Sequence, residues 1–338
     1  MATVREIAKE AGVSPATVSR LLTGKVPVNL ETSNKIMAAI EKLDGCNTIS
    51  KLSNGKRVGI IIPNSSTLNM YEHPSLFQAL TSFLNYISRA GLSNSTIIYD
   101  DSKEQIEKIF EDPLDGYFIM NTSVSQEEAI SEILNSKGIP HVLLNRQARK
   151  PRTGNVCLDD ENATTQLVEH LISLGHRKIA YVGGNKNYQN TKRRLLGYET
   201  TLKKYNIELD QSLVFTGEYS EQYGEMVGQQ ISQLKNKPTA ICCGSDSIAV
   251  GCINSLKKAG INVPGDVAIT GFGDYEIYRH VSPSLTTIIQ PNSKMGSIAA
   301  SCLIQLMEMP DIDSSNTYVH TKMVIRESSG SPLLSQEK

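Results

Sequence analysis

The sequence lacks the features that mark membrane, secreted and metal-binding proteins. No apolar run approaches the ~20 residues that span a bilayer, and the N-terminus has no basic segment followed by an apolar one. The six cysteines are scattered and form no C-x-x-C pair, which predicts reduced, mostly buried thiols. We therefore expect a cytoplasmic protein that has no metal site and no cofactor.

The motifs of common enzymes are missing as well. The chain has no G-x-S-x-G elbow, no Walker loop and no G-x-G-x-x-G after its first strand-like run. His170 and His176 are six residues apart, so they face different sides of a helix and do not form a metal-ligand pair. We predict that the protein is not an enzyme and that its histidines are structural or solvated.

Net charge is near zero but unevenly distributed. Residues 1–57 carry nine Lys/Arg against five Asp/Glu, whereas the rest carries 25 against 30. A small basic segment on an acidic body is typical of a protein in which only that segment contacts phosphate.

Three short helices are predicted within residues 3–43. Thr3 and Glu6 form a capping box for the first helix, which should end at Gly12. Ser14 can cap a second helix with Pro15 at its first position, and Asn29 can cap a third. The turn between the first two helices is only about three residues long, which is typical of a helix-turn-helix.

Beyond residue 57, short β-rich runs alternate with amphipathic helical stretches. Strict alternation predicts parallel sheets with helices on both faces, and about 280 residues are too many for one such sheet. We expect two similar doubly wound sub-domains with a break near residues 146–160, and a ligand cleft at the carboxyl ends of their strands. The predicted strands are 58–62, 96–100, 116–120, 141–145, 156–159, 178–184, 213–217, 239–244, 267–272, 285–290 and 318–326. The predicted helices are 75–89, 125–136, 161–174, 191–205, 220–234, 247–259 and 292–307.

Several segments together resemble one known family. They are VREIAKEAGVSPATVSRLLTGK, VNLETSNKIMAAIEKL, VEHLISLGHRKIAYVGG, KRRLLGYETTL, AICCGSDSIAVG, INVPGDVAITGFGD, SPSLTTIIQP and VIRESS, in this order over nearly the whole chain. They resemble the lactose-repressor/galactose-repressor (LacI/GalR) family of bacterial transcription factors. The resemblance implies a small all-α helix-turn-helix head, a sugar-binding α/β core shaped like a periplasmic binding protein, and a homodimer, sometimes a tetramer, on a pseudo-palindromic operator.

The second helix of the head should enter the major groove by its N-terminal end. This placement makes Pro15, Ala16 and Arg20 the candidates for base contacts, with Ser14 and Thr17 near phosphate or bases and Thr3 at the start of the head. Because arginine can bind guanine O6 and N7 together, Arg20 is the main base-reading candidate. The alternative is that this helix only packs on its neighbours, and for Ser14 that it only caps.

Residues 45–57 are predicted to form the hinge linker between head and core. In the family this region carries a short helix that inserts a leucine into the minor groove, and the resemblance assigns that role to Leu52, with Lys51 and Asn47 beside it. The family's aromatic and proline positions are missing, however, and the segment is about one residue short. A simple flexible tether is therefore the alternative.

The resemblance also implies a set of effector-binding residues. Arg194 matches the family arginine that grips sugar hydroxyls or a carboxylate, although a solvated helix face is the alternative. Gly273 stands where the family commonly has an aspartate, and Leu76 stands where it often has an aromatic. The remaining candidates lie at other positions that face the family's pocket, where a structural role is the alternative: Arg146, Asn162, Ser245, Asp246, Asp274 and Gln290.

The sequence thus predicts a repressor regulated by a sugar-like effector. Its expected domains are a DNA-binding head (1–44), the hinge (45–57), a core of two sub-domains (58–330) and a tail (331–338). The C-terminal SSGSPLLSQEK is short and lacks a leucine heptad long enough for a tetramerising coiled coil, which favours a dimer. One alternative keeps the DNA-binding role with a nucleobase or a phosphorylated carrier protein as co-effector. The other is a sugar-binding transport protein, which would need a signal peptide and no head.

Overall fold

The computed structural model describes residues 4–18, 32, 35–36, 39, 56–63, 74–99, 106, 108–120, 124–146, 151–309, 311 and 314–330. The chain forms two compact units. The first comprises Met1–Leu68, Leu76–Val156 and Ser293–Thr317, and the second comprises Asn69–Ser75, Cys157–Asn292 and Tyr318–Lys338. The crossing between Val156 and Cys157 lies within the range predicted for a break, but the chain also crosses between the units elsewhere and returns to the first unit at Ser293–Thr317.

The N-terminal segment forms the first two predicted helices, whereas the predicted caps Thr3 and Asn29 lie outside the described residues. Helix α1 spans Val4–Ala11 and ends at Gly12, whose φ of 65° lies in the left-handed region that favours glycine. After this turn residues 15–18 are helical again, and Val18 is fully buried together with Ile7 and Ala8 of α1. Both helical segments therefore bury apolar side chains, as a helix-turn-helix requires.

The first unit contains a six-stranded sheet, with strand order β11-β5-β4-β3-β1-β2. β1 pairs in parallel with β2 and β3, and β4 pairs in parallel with β3 and β5. Its inner strands are apolar and fully buried because helices cover both faces of such sheets. The strands are β1 Arg57–Pro63, β2 Ser93–Tyr99, β3 Gly116–Ile119, β4 His141–Leu144, β5 Thr153–Leu158 and β11 Ser314–Val319.

The second unit contains a four-stranded sheet of order β7-β6-β8-β9, in which all pairs are parallel. A two-stranded antiparallel sheet, β10-β12, belongs to the same unit. Because β6 is the first strand along the chain yet lies between β7 and β8, the topological switch point is located there. The strands are β6 Ile179–Gly183, β7 Val214–Thr216, β8 Ala240–Cys243, β9 Ala268–Thr270, β10 Thr287–Ile289 and β12 Lys322–Val324.

The helices lie within a few residues of their predicted positions. α2 spans Pro74–Arg89 and α3 Val124–Ser136 in the first unit, while α4 Asp160–Ser173, α5 Gln189–Lys204, α6 Glu221–Gln233 and α7 Asp246–Lys258 belong to the second. α8 spans Asn292–Glu308 and leads back into the first unit. None of the helices in the described part of the chain is long and apolar enough to span a membrane.

The prediction of one continuous strand over residues 318–326 was wrong. Residues 318–326 are interrupted at His320 and Thr321, so that β11 pairs in the sheet of the first unit and β12 pairs with β10 in the second. The alternation of side chains continues through this break, which is why the sequence pattern alone does not reveal it.

The cysteines among the described residues confirm the prediction of buried thiols. Cys157, Cys242, Cys243, Cys252 and Cys302 are buried and free, and Cys46 lies outside the described residues. Across the described ranges there is no cluster of side chains able to hold a metal ion.

A glycine allows α6 and α7 to pack closely. A Cβ on Gly251 of α7 would collide with the backbone oxygen of Glu221 in α6. We expect Gly251→Ala to destabilise the protein by about 1–3 kcal/mol, the usual cost of overpacking a core. Denaturant unfolding measures this, with Gly265→Ala as the control, because the only close atom there is Asn262 Cβ at 3.4 Å. Equal stability of the two variants would contradict the close approach of α6 and α7.

Candidate functional site

The start of the second helical segment in the head presents small side chains. Pro15 and Ala16 are exposed. The Ser14 hydroxyl oxygen accepts a hydrogen bond from the Thr17 N–H at 3.1 Å, and its Oγ lies 2.7 Å from Thr17 Oγ1. Ser14 therefore caps the helix, as predicted, while Pro15 and Ala16 remain open to a partner. The other predicted DNA contacts lie outside the described residues: Thr3, Arg20, Asn47, Lys51 and Leu52.

Arg194 reaches the switch point of the second unit from the first turns of α5. Its Nε donates to Asp160 Oδ1 at 2.7 Å, and its Nη1 donates to the backbone oxygen of Gly244, which follows β8, at 2.5 Å. The guanidinium carbon also lies 3.6 Å from the ring centroid of Phe272. Only 3% of Arg194 is exposed, so the alternative of a solvated helix face is excluded.

The Arg194–Asp160 ion pair is buried on both sides, with side chains that are 4% and 3% exposed. Burial raises the pKa of Asp160, and the neighbouring Arg194 charge opposes that rise. Burial is the largest influence on the pKa of Arg194 and lowers it, but Asp160 together with Tyr219 and Tyr181 outweighs burial, so the pKa of the guanidinium is raised. Arg194 is therefore cationic at neutral pH, and its charge is balanced within the protein.

Two aromatic residues of this site were not predicted from the sequence. Phe272 lies beneath the guanidinium, and the Tyr219 ring centroid is 6.0 Å from it. The Tyr219 hydroxyl lies 2.8 Å from Thr191 Oγ1, which orients the ring. Tyr219 follows β7 as Gly244 follows β8, so a systematic search of strand ends would have found it.

Ser245 and Asp246 begin α7 and are directed into the protein. Ser245 Oγ accepts from the Ile248 N–H at 3.2 Å, as expected of an N-cap. Asp246 Oδ1 accepts from the Thr287 hydroxyl at 2.6 Å, and Oδ2 accepts from the Tyr275 N–H at 3.2 Å. Since Asp246 is 1% exposed, its carboxylate serves protein contacts in this structure.

The segment after β9 explains the glycine at the position where the family commonly has aspartate. Gly273 has a φ of 152°, and a Cβ on it would collide with the ring of Tyr275. Asp274 accepts from Arg326 at 2.6 Å and from Arg279 at 3.4 Å, so it is engaged in ion pairs. Gln290, after β10, is half-buried and its N–H donates to the Gly273 oxygen at 3.3 Å.

The other predicted effector residues lie on other elements than the segments around Arg194. Asn162 is exposed in the first turn of α4. In the first unit, Leu76 is half-buried in the first turn of α2, and Arg146 is 5% exposed just after β4. Arg194, Ser245, Asp246, Gly273, Asp274 and Gln290 all follow strands or begin helices at the carboxyl edge of the strands of the second unit.

Comparisons with known proteins agree with this organisation. A model described as "Bacterial regulatory proteins, lacI family" matches residues 3–44, and one described as "Periplasmic binding protein-like domain" matches residues 168–329. Catabolite control protein A of Staphylococcus xylosus is 30% identical over 96% of this chain and 98% of its own length.

Two solved structures show the same fold. The structure described as the transcriptional regulator CelR–cellobiose complex superposes with a TM-score of 0.73 at 22% identity, covering 97% of this chain and 100% of that one. The lac repressor dimer bound to operator and the anti-inducer ONPF superposes with a TM-score of 0.70 at 22% identity, covering 98% and 99%. With its helix-turn-helix and its parallel α/β units, the chain belongs to the lacI family of bacterial regulatory proteins and is a DNA-binding transcriptional regulator.

Proposed function

We propose that this regulator is a repressor that binds its operator as a homodimer, and that a small polar effector, a sugar or a sugar derivative, changes its affinity for that operator. The observation that carries the effector proposal is the buried Arg194, which is held by Asp160 and by the Gly244 oxygen above the ring of Phe272. A guanidinium fixed in this way offers a preorganised donor fork, which lowers the entropy lost on binding.

The charge balance of the site favours a neutral polyol. Asp160 compensates the charge of Arg194, so an anionic effector would find no unbalanced cation there. The rings of Phe272 and Tyr219 supply apolar faces. Gln290, just after β10, and Asn162, in the same first turn of α4 as Asp160, supply neutral polar groups. Apolar walls with a few fixed polar groups are typical of small-molecule sites. Ser245, Asp246, Gly273 and Asp274 complete the proposed effector-binding region of the second unit. For Leu76 and Arg146 of the first unit, a role in effector binding stays a prediction.

The DNA-binding role is assigned to the head and hinge. Exposed Pro15 and Ala16 support a helix that approaches DNA by its N-terminal end, with Arg20 as base reader and Ser14, Thr17 and Thr3 nearby. Leu52, Lys51 and Asn47 are the proposed hinge contacts. We propose the boundaries 1–44, 45–57, 58–330 and 331–338, and the lacI model at residues 3–44 supports the first of them. A protein that binds a chromosomal operator acts in the cytoplasm.

Regulation requires that the effector bind two states of the protein with different affinity. A coupling of ~1–3 kcal/mol is typical of such systems and changes operator affinity ~5- to 150-fold. The relatives are transcriptional regulators rather than enzymes, and we propose binding without catalysis for this chain.

Arg20→Ala should weaken specific operator binding strongly. Genome-wide mapping of bound DNA supplies the operator, and gel shift then compares wild type, Arg20→Ala and Arg89→Ala, whose arginine is exposed in α2. Loss of one bidentate guanine contact costs ~1–3 kcal/mol and relaxes specificity at that base. If Arg20→Ala shifts operator fragments as well as Arg89→Ala does, the assignment of the recognition helix is wrong.

Operator binding should weaken steeply as salt is added. Each phosphate neutralised by the basic head lowers log K by ~0.9 per decade of salt concentration, because condensed counterions are released. Titrations of an operator fragment over a range of potassium chloride concentrations measure this slope. A flat response would contradict the head as the DNA contact.

Arg194→Lys should weaken effector binding because an ammonium group cannot replace the planar fork. Calorimetry of the full chain with a panel of sugars, purine bases and a phosphorylated carrier protein identifies the effector class. The sugar that binds should bind Arg194→Lys at least about tenfold more weakly, which corresponds to ~1.4 kcal/mol. Arg193→Lys, a half-buried neighbour in α5, is the control and should bind normally. Binding of a purine or the carrier, and of no sugar, would overturn the proposed effector class.

A further inference from the structure

Asp246 contacts two separate parts of the second unit through its carboxylate. Oδ1 accepts from the Thr287 hydroxyl of β10 at 2.6 Å, and Oδ2 accepts from the Tyr275 N–H at 3.2 Å. The Asp274 N–H is a further donor to this carboxylate. The Asp246 N–H in turn donates to the Phe272 oxygen at 3.1 Å. One residue at the start of α7 therefore holds the short segment 272–275 from both ends.

This segment leads directly to the guanidinium of Arg194. Phe272 is fully buried, and its ring centroid lies 3.6 Å from the Arg194 guanidinium carbon. Since Phe272 and Tyr275 are only three residues apart, a shift of the backbone at 274–275 moves the ring on which the arginine rests. The chain of contacts thus runs from the Asp246 carboxylate through two backbone amides to Phe272 and then to Arg194.

The ionised carboxylate of Asp246 accepts these hydrogen bonds, but keeping its charge buried lowers the stability of the folded protein. Burial raises its pKa from 3.8 to about 6, although the hydrogen bonds from Thr287 and from the amides of Tyr275 and Asp274 oppose the rise. A carboxyl group with a raised folded pKa stabilises the fold below its unfolded pKa, and that contribution is lost as pH rises through about 6. At neutral pH the fold therefore carries a charge that disfavours it. Residues that lower stability in this way are typical of functional sites.

The other titratable groups that face Asp246 do not explain a transition near neutral pH. Asp274 also raises the Asp246 pKa, but its carboxylate is paired with Arg326 and Arg279. Burial raises the pKa of the Cys243 thiol and of the Tyr278 phenol, so both stay neutral in this range.

We propose that Asp246 is a positioning residue of the effector site, whose ionised carboxylate fixes the segment 272–275 and, through Phe272, the orientation of the Arg194 guanidinium. The proposal rests on the proposed function only for what the site binds. Below the transition the protonated carboxyl group accepts the amide hydrogen bonds less well, so the segment loosens and Arg194 loses its support.

The absence of tryptophan from the chain gives a direct test without any sugar. A single tryptophan at Tyr275→Trp reports on the segment, and one at Tyr219→Trp reports on the surroundings of Arg194, whose guanidinium lies 6.0 Å from that ring. In the full-length protein both emission spectra should change with pH, with a midpoint near the Asp246 pKa of about 6. Adding Asp246→Asn should remove both transitions, while the thermal unfolding temperature at pH ~7.5 stays the same or rises.

Two controls sharpen the result. Asp266→Asn removes another carboxylate that accepts a backbone N–H, from Asn262 at 2.7 Å, and should leave both transitions in place. Thr287→Val removes a hydrogen bond that lowers the Asp246 pKa, so both midpoints should move to higher pH. This variant keeps the carboxylate and tests the same connection if Asp246→Asn does not fold.

Several outcomes would overturn the proposal. Transitions that persist in Asp246→Asn would show that another group titrates. A pH-dependent change in the emission of Tyr275→Trp but not of Tyr219→Trp would show that the segment does not influence the surroundings of Arg194. Midpoints unchanged or lowered in Thr287→Val would exclude the hydroxyl contact as an influence on the carboxylate. Because no effector is used, failure of the sugar panel and failure of this proposal are distinguishable.

Discussion

The ion pair between Arg194 and Asp160 is the contact on which the rest of the candidate effector site depends. Both side chains are almost fully buried, so each charge has left water and must be compensated by the other. Removing one partner would leave an uncompensated buried charge, which is strongly destabilising, whereas the intact pair holds a rigid guanidinium at the strand ends. The backbone oxygen of Gly244 and the ring of Phe272 complete its surroundings.

Several residues of the second unit that were predicted to contact the ligand instead make hydrogen bonds or ion pairs with other protein groups in this structure. Ser245 caps α7, Asp246 binds Thr287 and Tyr275, and Asp274 pairs with Arg326. Such contacts are compatible with the proposed role of these residues in an effector site. They fix the backbone next to Arg194 and Gln290, and a binding site gains affinity when its groups are held in place before the ligand arrives.

The head and the α/β units contribute to function by different physics. DNA affinity depends on charge near phosphate and on a few side chains at base edges, and a basic segment of 57 residues supplies this on an otherwise acidic chain. Effector recognition instead needs polar groups fixed in a dry, neutral setting. Joining the two in one chain makes regulation possible, because a ligand that prefers one state of the core also shifts DNA binding.

The sequence by itself determined the elements, since caps, glycines and apolar periodicity are local signals: α1 ends at Gly12, Ser14 caps the next helix, and the strand–helix alternation appears in both units. It also predicted Arg194 as an effector contact through a family resemblance, and that role stays a prediction. Only the tertiary structure decided that Arg194 pairs with Asp160, 34 residues earlier, that Tyr219 and Phe272 lie beside it, and that residues 318–326 divide between two sheets. These are contacts between residues distant in the chain, and they depend on how the units fold rather than on any local pattern.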